Sequence, residues 1–184
     1  MDLHAHQIQG FFDIPMDHLY AAPVLIEYLR GLNLARPVVL SPDVGGVKMA
    51  RAYAKRLRAD LAIVDKRRSG PAETEVMHMI GDVRGRDVIL VDDLISTGTT
   101  LLEAARSARE HGAREVYVCA THAVFAGPAK ERIARAEARE VIVTDTIPDR
   151  EGILPNVRVR TVANLLGEAI RRIHHSESVS ALFV

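Results

Sequence analysis

One cysteine in 184 residues excludes an internal disulfide, and Cys119 sits in the apolar run Val116-Tyr117-Val118-Cys119-Ala120, the setting of a buried strand thiol rather than a nucleophile. No charge of either sign prevails. The 24 basic and 24 acidic residues cancel, and the basic ones are scattered except at Lys66-Arg67-Arg68 and Arg171-Arg172. That excludes a broad nucleic-acid footprint, so any anion binding must be local. No stretch approaches the roughly 18 apolar residues of a membrane span, and the first residues lack a charged flank followed by an apolar core. The chain therefore reads as a cytoplasmic protein with neither membrane nor nucleic-acid partners. It also lacks internal repeats and low-complexity segments. What it has is 48% apolar and 26% charged residues, enough for the core of one ordinary domain or slightly more.

Short β-branched runs at Pro37 to Leu40, Leu61 to Val64, Val88 to Val91, Val116 to Ala120 and Val141 to Val143 read as strands. Amphipathic stretches at Val47 to Arg58, Leu101 to His111 and Ala129 to Ala138 read as the helices between them. Strand and helix in alternation predict an α/β fold with a doubly wound parallel sheet covered on both faces. Further helices are expected at Asp17 to Arg30, despite Pro23, and at Val162 to His174, with an extra strand at Val76 to Ile80.

The segment Val88-Ile89-Leu90-Val91-Asp92-Asp93-Leu94-Ile95-Ser96-Thr97-Gly98-Thr99-Thr100 is the most informative. An apolar strand ends at two carboxylates, which can accept hydrogen bonds from vicinal hydroxyls. Ser96, Thr97, Gly98, Thr99 and Thr100 then offer hydroxyls and backbone N–H groups just before a helix, whose amino terminus favours a phosphate dianion. One end suits a diol and the other phosphate. Ser41-Pro42-Asp43-Val44-Gly45-Gly46 follows the first strand, and its paired glycines, Gly45 and Gly46, can bring backbone N–H groups against an anion while Asp43 can hold a metal. After the second strand, Asp65-Lys66-Arg67-Arg68-Ser69-Gly70-Pro71 reads as a cationic loop able to stabilise charge on phosphate oxygens.

Together with Met1-Asp2-Leu3-His4-Ala5-His6-Gln7-Ile8-Gln9-Gly10-Phe11-Phe12-Asp13-Ile14-Pro15, these motifs resemble the ribose-phosphate pyrophosphokinase family. The resemblance runs on through Thr121-His122-Ala123-Val124, Thr144-Asp145-Thr146-Ile147-Pro148 and the tail Ser178 to Phe183, covering essentially the whole chain. It implies a sheet of phosphoribosyltransferase type and transfer of diphosphate from Mg-ATP to the anomeric hydroxyl of ribose 5-phosphate, giving phosphoribosyl pyrophosphate and AMP. It also implies Mg²⁺ as cofactor, ATP and ribose 5-phosphate as partners, and a homo-oligomer, a hexamer in the family. By matching positions, Lys66 and Arg68 would be catalytic, Asp92, Asp93 and Ser96 to Thr100 would bind ribose 5-phosphate, and His4, Asp43, Gly45 and Gly46 would bind nucleotide. His4 and Asp43 would also meet the metal. Asp2, Asp13 and Asp17 are secondary metal candidates, because acids near a helix start also merely complement its dipole.

The sequence departs from the family at three points. Members carry a whole preceding α/β domain that supplies much of the adenine pocket, so residues 1–30 read as the remnant of that domain with a connecting helix. Residues 31–161 then form the ribose-phosphate-binding domain and 162–184 a closing helix and tail. Ser96 stands where many members have Asp, with Thr99 in place of Ala or Gly, and Ala72 replaces a frequent Asn. The competing expectations are a phosphoribosyltransferase, or a noncatalytic partner of full-length synthetase subunits.

Overall fold

Side chains that alternate along the central strands go to opposite faces of one sheet. Val38, Leu40, Val88, Leu90, Val116 and Val118 are buried in one core cluster, and Val39, Ile89, Val91, Tyr117 and Cys119 in another. A strand covered on both faces has to be apolar throughout, which is why these segments read as unbroken runs. The computed structural model describes residues 1–67, 76–148, 150 and 152–183.

The elements are α1 (Ala22–Gly31), β1 (Val38–Ser41), α2 (Val47–Leu57), β2 (Asp60–Arg67), β3 (Val76–Ile80), β4 (Asp87–Ile95), α3 (Thr99–Glu110), β5 (Glu115–Ala123), α4 (Ala129–Arg135), β6 (Glu140–Thr144), β7 (Val157–Arg160) and α5 (Ala163–His174). Short 3₁₀ turns occupy His6–Phe11 and Val179–Phe183. The 7-stranded sheet has the order β3-β2-β1-β4-β5-β6-β7, with β2 and β3 antiparallel and the other neighbours parallel. Helices α3 and α4 contribute Ala104, Ala105, Ala108 and Ile133 to one cluster. On the other face, α1 and α2 contribute Leu25, Ile26, Leu29, Ala50 and Tyr53. The expected doubly wound α/β sheet is the one observed.

From β1 the chain winds outward to β2 on one side and then returns to lay β4 on the other. The crevice between the carboxyl ends of β1 and β4 is therefore the topological switch point, where open α/β sheets bind ligands. Among the described residues no helix is long and apolar enough to cross a membrane.

Four elements differ from the sequence reading. Strand β2 runs on to Arg67, so Asp65, Lys66 and Arg67 belong to the strand rather than to the cationic loop read after it. Helix α1 begins at Ala22 rather than Asp17, with Pro23 in its first turn, where a missing N–H removes no helical bond. Strand β4 runs on to Ile95, so Asp92 and Asp93 belong to the strand rather than to the loop after it. Strand β7 was not anticipated: Val157 is buried but Arg158 and Arg160 are not, so the segment has little of the apolar run that marks an inner strand. The extra strand at Val76–Ile80 is present and pairs with β2.

Candidate functional site

A cavity of about 210 Å³ opens at the switch point, lined by His4, Asp43, Asp92, Asp93 and the loop from Ser96 to Thr100. The geometry of that loop follows from Gly98. It takes φ +75° at the amino-terminal cap of α3, a left-handed conformation in which a Cβ would also come to 3.4 Å of the Arg132 Cβ. From the other side, the Arg132 guanidinium donates to the Thr97 carbonyl at 3.0 Å, and the Thr97 and Thr99 hydroxyls lie 3.2 Å apart. Helix α3 thus presents its N-terminal N–H groups and hydroxyls to the cavity, an arrangement that favours an anion.

The opposite wall is acidic. Burial pushes the Asp92 carboxyl up to about 7, with the Asp93 and Asp43 charges adding to it and a hydrogen bond from the Asp93 amide opposing it. The Asp93 Oδ2 lies 2.8 Å from His4 Nδ1, and its Oδ1 is buried without a hydrogen-bond partner. A buried acceptor left unsatisfied costs about 1–3 kcal/mol, which a hydroxyl donor from a ligand would offset. His4 is itself largely exposed, and its basicity is raised by the hydrogen bond to Asp93, with charges of Asp93, Asp92 and Asp43 in support. It stands at the rim as a candidate cation.

The turn after β1 closes the third side. Asp43 Oδ1 accepts from the Gly46 amide at 2.9 Å, and the Ser41 hydroxyl donates to the Asp43 carbonyl at 2.7 Å. A Cβ at Gly46 would meet the Ser41 Oγ at 2.9 Å, so a larger residue here would displace the hydroxyl that bonds the Asp43 carbonyl. Gly45 and Gly46 sit in the turn after β1 but are not among the residues that line the cavity, and Gly46 gives its amide to Asp43.

Of the candidate metal residues, His4 and Asp43 share the cavity, whereas Asp2, Asp13 and Asp17 do not line it. Among the described residues no group of three or more His, Cys, Asp or Glu side chains is placed to hold an ion. Asp13 and Asp17 are exposed. Asp2 is buried, its Oδ2 accepting from the Ala21 amide and the Thr121 hydroxyl, both at 2.8 Å. Asp2 thus commits its Oδ2 to anchoring a chain segment and does not line the cavity, so it sits apart from the place where it was expected to meet a metal. Of the catalytic candidates, Arg68 lies outside the described residues, as does the Lys66 side chain; the Lys66 backbone pairs with Met77 across β2 and β3. Sequence reasoning gave no role to Arg132, Thr121 or His122. The only hint, for Thr121 and His122, was their place in a stretch that carries the family resemblance.

The strand order and the ribose-phosphate-like loop at the switch point define a phosphoribosyltransferase-type α/β domain. The adenine phosphoribosyltransferase of Giardia lamblia, solved with 9-deazaadenine, shares this fold at TM-score 0.52 and 16% identity, covering 67% of this chain and 77% of its own. Closer likeness narrows the class. A family model described as the phosphoribosyl synthetase-associated domain matches residues 67–184. The phosphoribosylpyrophosphate synthetase of Mycobacterium smegmatis superimposes at TM-score 0.85 with 41% identity, covering 95% of this chain and 57% of that one. The ribose-phosphate pyrophosphokinase of Synechococcus elongatus is 57% identical over 186 residues, and that of Campylobacter jejuni 50% identical over 184. Both alignments cover 100% of this chain but only 56% and 59% of those relatives, so the chain spans a little over half their length. The chain belongs to the ribose-phosphate pyrophosphokinase family.

Proposed function

We propose that this chain is the ribose-phosphate-binding half of a ribose-phosphate diphosphokinase, the enzyme that moves the β,γ-diphosphoryl group of Mg-ATP to the anomeric oxygen of ribose 5-phosphate. That oxygen bonds to the β-phosphorus, the bond to the α-phosphate oxygen breaks, and AMP leaves. The observation that carries the reading is the unpartnered Asp93 Oδ1, buried in the same cavity as the amino terminus of α3. Asp92 and Asp93 accept from the sugar hydroxyls while Ser96 to Thr100 take the 5-phosphate.

Magnesium fits this site only together with a nucleotide. The ion demands oxygen ligands in octahedral geometry, keeps several waters and is commonly held by one or two carboxylates plus substrate phosphates. Asp43 supplies such a carboxylate. His4, a nitrogen base paired to Asp93, suits the phosphate oxygens better than a hard cation. When bound, the ion would neutralise charge on the bridging phosphates. Lys66, near the end of β2, and Arg68, which follows that strand in sequence, supply positive charge. The domain limits at 30/31 and 161/162 and a cytoplasmic setting belong to the same proposal. A phosphoribosyltransferase is disfavoured by the segment from Asp2 to Asp13, which belongs to the family's pattern.

Isothermal calorimetry with ribose 5-phosphate tests the reading on this chain directly. Saturable binding is expected, weakened by about 10²-fold or more in Asp92→Asn with Asp93→Asn, since hydrogen bonds to charged groups contribute about 1.5–3 kcal/mol each. Equal affinity in that double variant would sink the assignment.

We also propose that the chain self-associates. Phe11 is 85% exposed, Ile14 71% and Ile170 67%, with Phe12 and Ile173 half exposed. Apolar patches beyond a few hundred Å² on a soluble protein tend to become interfaces. The noncatalytic-partner reading would use this same surface. Light scattering over a concentration series is expected to show a mass that rises above 20.2 kDa; a constant monomer at tens of micromolar is the contrary outcome.

A further inference from the structure

His4 reaches Asp93 from residues 1–5, which form no regular secondary structure, and its imidazole is 73% exposed. Something other than burial must therefore place it. The residues just before it are tied down at every turn. Asp2 sits at φ +40°, a left-handed conformation that Asp tolerates better than most residues, and donates its amide to the Leu19 carbonyl at 2.9 Å. Its carboxylate takes the Ala21 amide and the Thr121 hydroxyl. The Leu3 amide donates to His18 Nε2 at 2.9 Å. His122 Nε2 lies 3.1 Å from both the Met1 and the Asp2 carbonyl.

Carbonyls only accept, so His122 Nε2 must carry a proton and donate to both. Its other nitrogen, Nδ1, lies 2.9 Å from the Thr146 hydroxyl, which is bridged to Thr144 and the Thr121 carbonyl. That network fixes the ring plane from the side of β6. His18 is the mirror case: a backbone N–H points at its Nε2, so Nε2 must accept. Thr121 and His122 lie just before the last residue of β5, and Thr144 ends β6. The clamp is thus built on the same sheet edge as the acidic wall of the cavity.

We propose that Asp2, His18 and His122 are positioning residues that pin residues 1–3 across the carboxyl ends of the central strands and thereby hold the His4 imidazole against Asp93. None of the three lines the cavity. Loss of any one leaves the substrate-binding loop intact and frees His4 to leave the rim. The consequence for nucleotide binding rests on the proposed function, whereas the placement of His4 does not.

The test is nuclear magnetic resonance of the full chain labelled with ¹⁵N-histidine, at one fixed pH, with Asp93→Ala as the reference for a His4 ring deprived of its acceptor. His122→Ala is expected to move the His4 ring ¹⁵N resonances to their Asp93→Ala positions. His122→Gln, which keeps an amide N–H near the two carbonyls, is expected to retain the parent positions. A folded His122→Ala chain, judged by circular dichroism, whose His4 resonances stay at the parent positions overturns the proposal. Should His122→Ala not fold, Thr121→Val removes one donor to Asp2 at nearly constant shape. A shift in the same direction then supports the clamp, and unmoved His4 resonances overturn it. Failure of the parent chain to bind ribose 5-phosphate would strike the functional reading and leave this comparison standing.

Discussion

In a full-length enzyme containing this half, Lys66→Ala and Arg68→Ala are each expected to lower kcat by about 10²–10³ while leaving the KM for ribose 5-phosphate little changed. On the proposed reading, the ground-state charge of the phosphates would be balanced by bound magnesium and by the loop from Ser96 to Thr100. As the diphosphoryl group passes between oxygens, negative charge spreads over its equatorial oxygens, and a donor aimed at those atoms is worth more at that moment than before it. A side chain that acts only then lowers kcat and kcat/KM together. The position supports this role: β2 carries Lys66 at the outer side of β1, after which Pro42 and Asp43 line the cavity. Steady-state kinetics on both variants, with Lys55→Ala on the exposed face of α2 as a control for charge alone, decide the matter. If Lys66→Ala and Arg68→Ala retained nearly full kcat, the Lys66-Arg67-Arg68 run would be a solvated charge cluster and no more.

Much of the fold could be read from the chain because burial on two faces leaves a signature in composition. The runs at 38–41, 88–91 and 116–120 are inner strands flanked on both sides, and a continuous apolar stretch is the only pattern that satisfies both faces. The same logic explains what was missed. Strand β7 lies at the sheet edge with Val157 buried and its arginines outward, so its composition resembles a loop. The late start of α1 was foreseeable from Pro23, since proline belongs in a first turn rather than a helix interior.

Within the site, the loop from Ser96 to Thr100 was legible because it is local: strand, acids, hydroxyls and helix follow one another along the chain. Partnerships across long sequence separations were not. His4 meets Asp93, Asp2 meets Thr121, and His122 meets Met1, contacts separated by 89, 119 and 121 residues. A sequence shows that an aspartate is present but not whether it faces a cation or a backbone amide. Asp2 is the clearest case, a metal candidate by motif and an anchor by structure.

Two carboxylates are expected to give this protein opposite responses to pH. Burial pushes the Asp87 carboxyl up, but hydrogen bonds from Arg114 and from the Ala35 amide outweigh it and hold it below its ordinary value. An acid held low stabilises the fold above its unfolded value, and that contribution disappears as pH falls through the lower, folded value. Asp87 is buried at the start of β4, with Arg114 Nε at 2.7 Å and the Ala35 amide at 2.7 Å. Breaking a buried pair costs about 3–5 kcal/mol. Arg114 is half exposed and regains water, so Asp87→Ala should cost about 2–4 kcal/mol at pH 7, less in acid. Asp92 behaves the other way. Its folded state holds a proton that the unfolded chain has lost between about pH 4 and 7, so stability falls as pH rises across that window and levels off above it. Asp92→Asn removes this cost, about 1.4 kcal/mol for each pH unit the titration moves. Urea unfolding should therefore place the variant above the parent at pH 8 and level with it at pH 4. Parent and Asp92→Asn curves that run parallel from pH 4 to 8 would show that Asp92 titrates normally. The acidic wall would then be solvated rather than held ready for a ligand whose hydroxyls complete it.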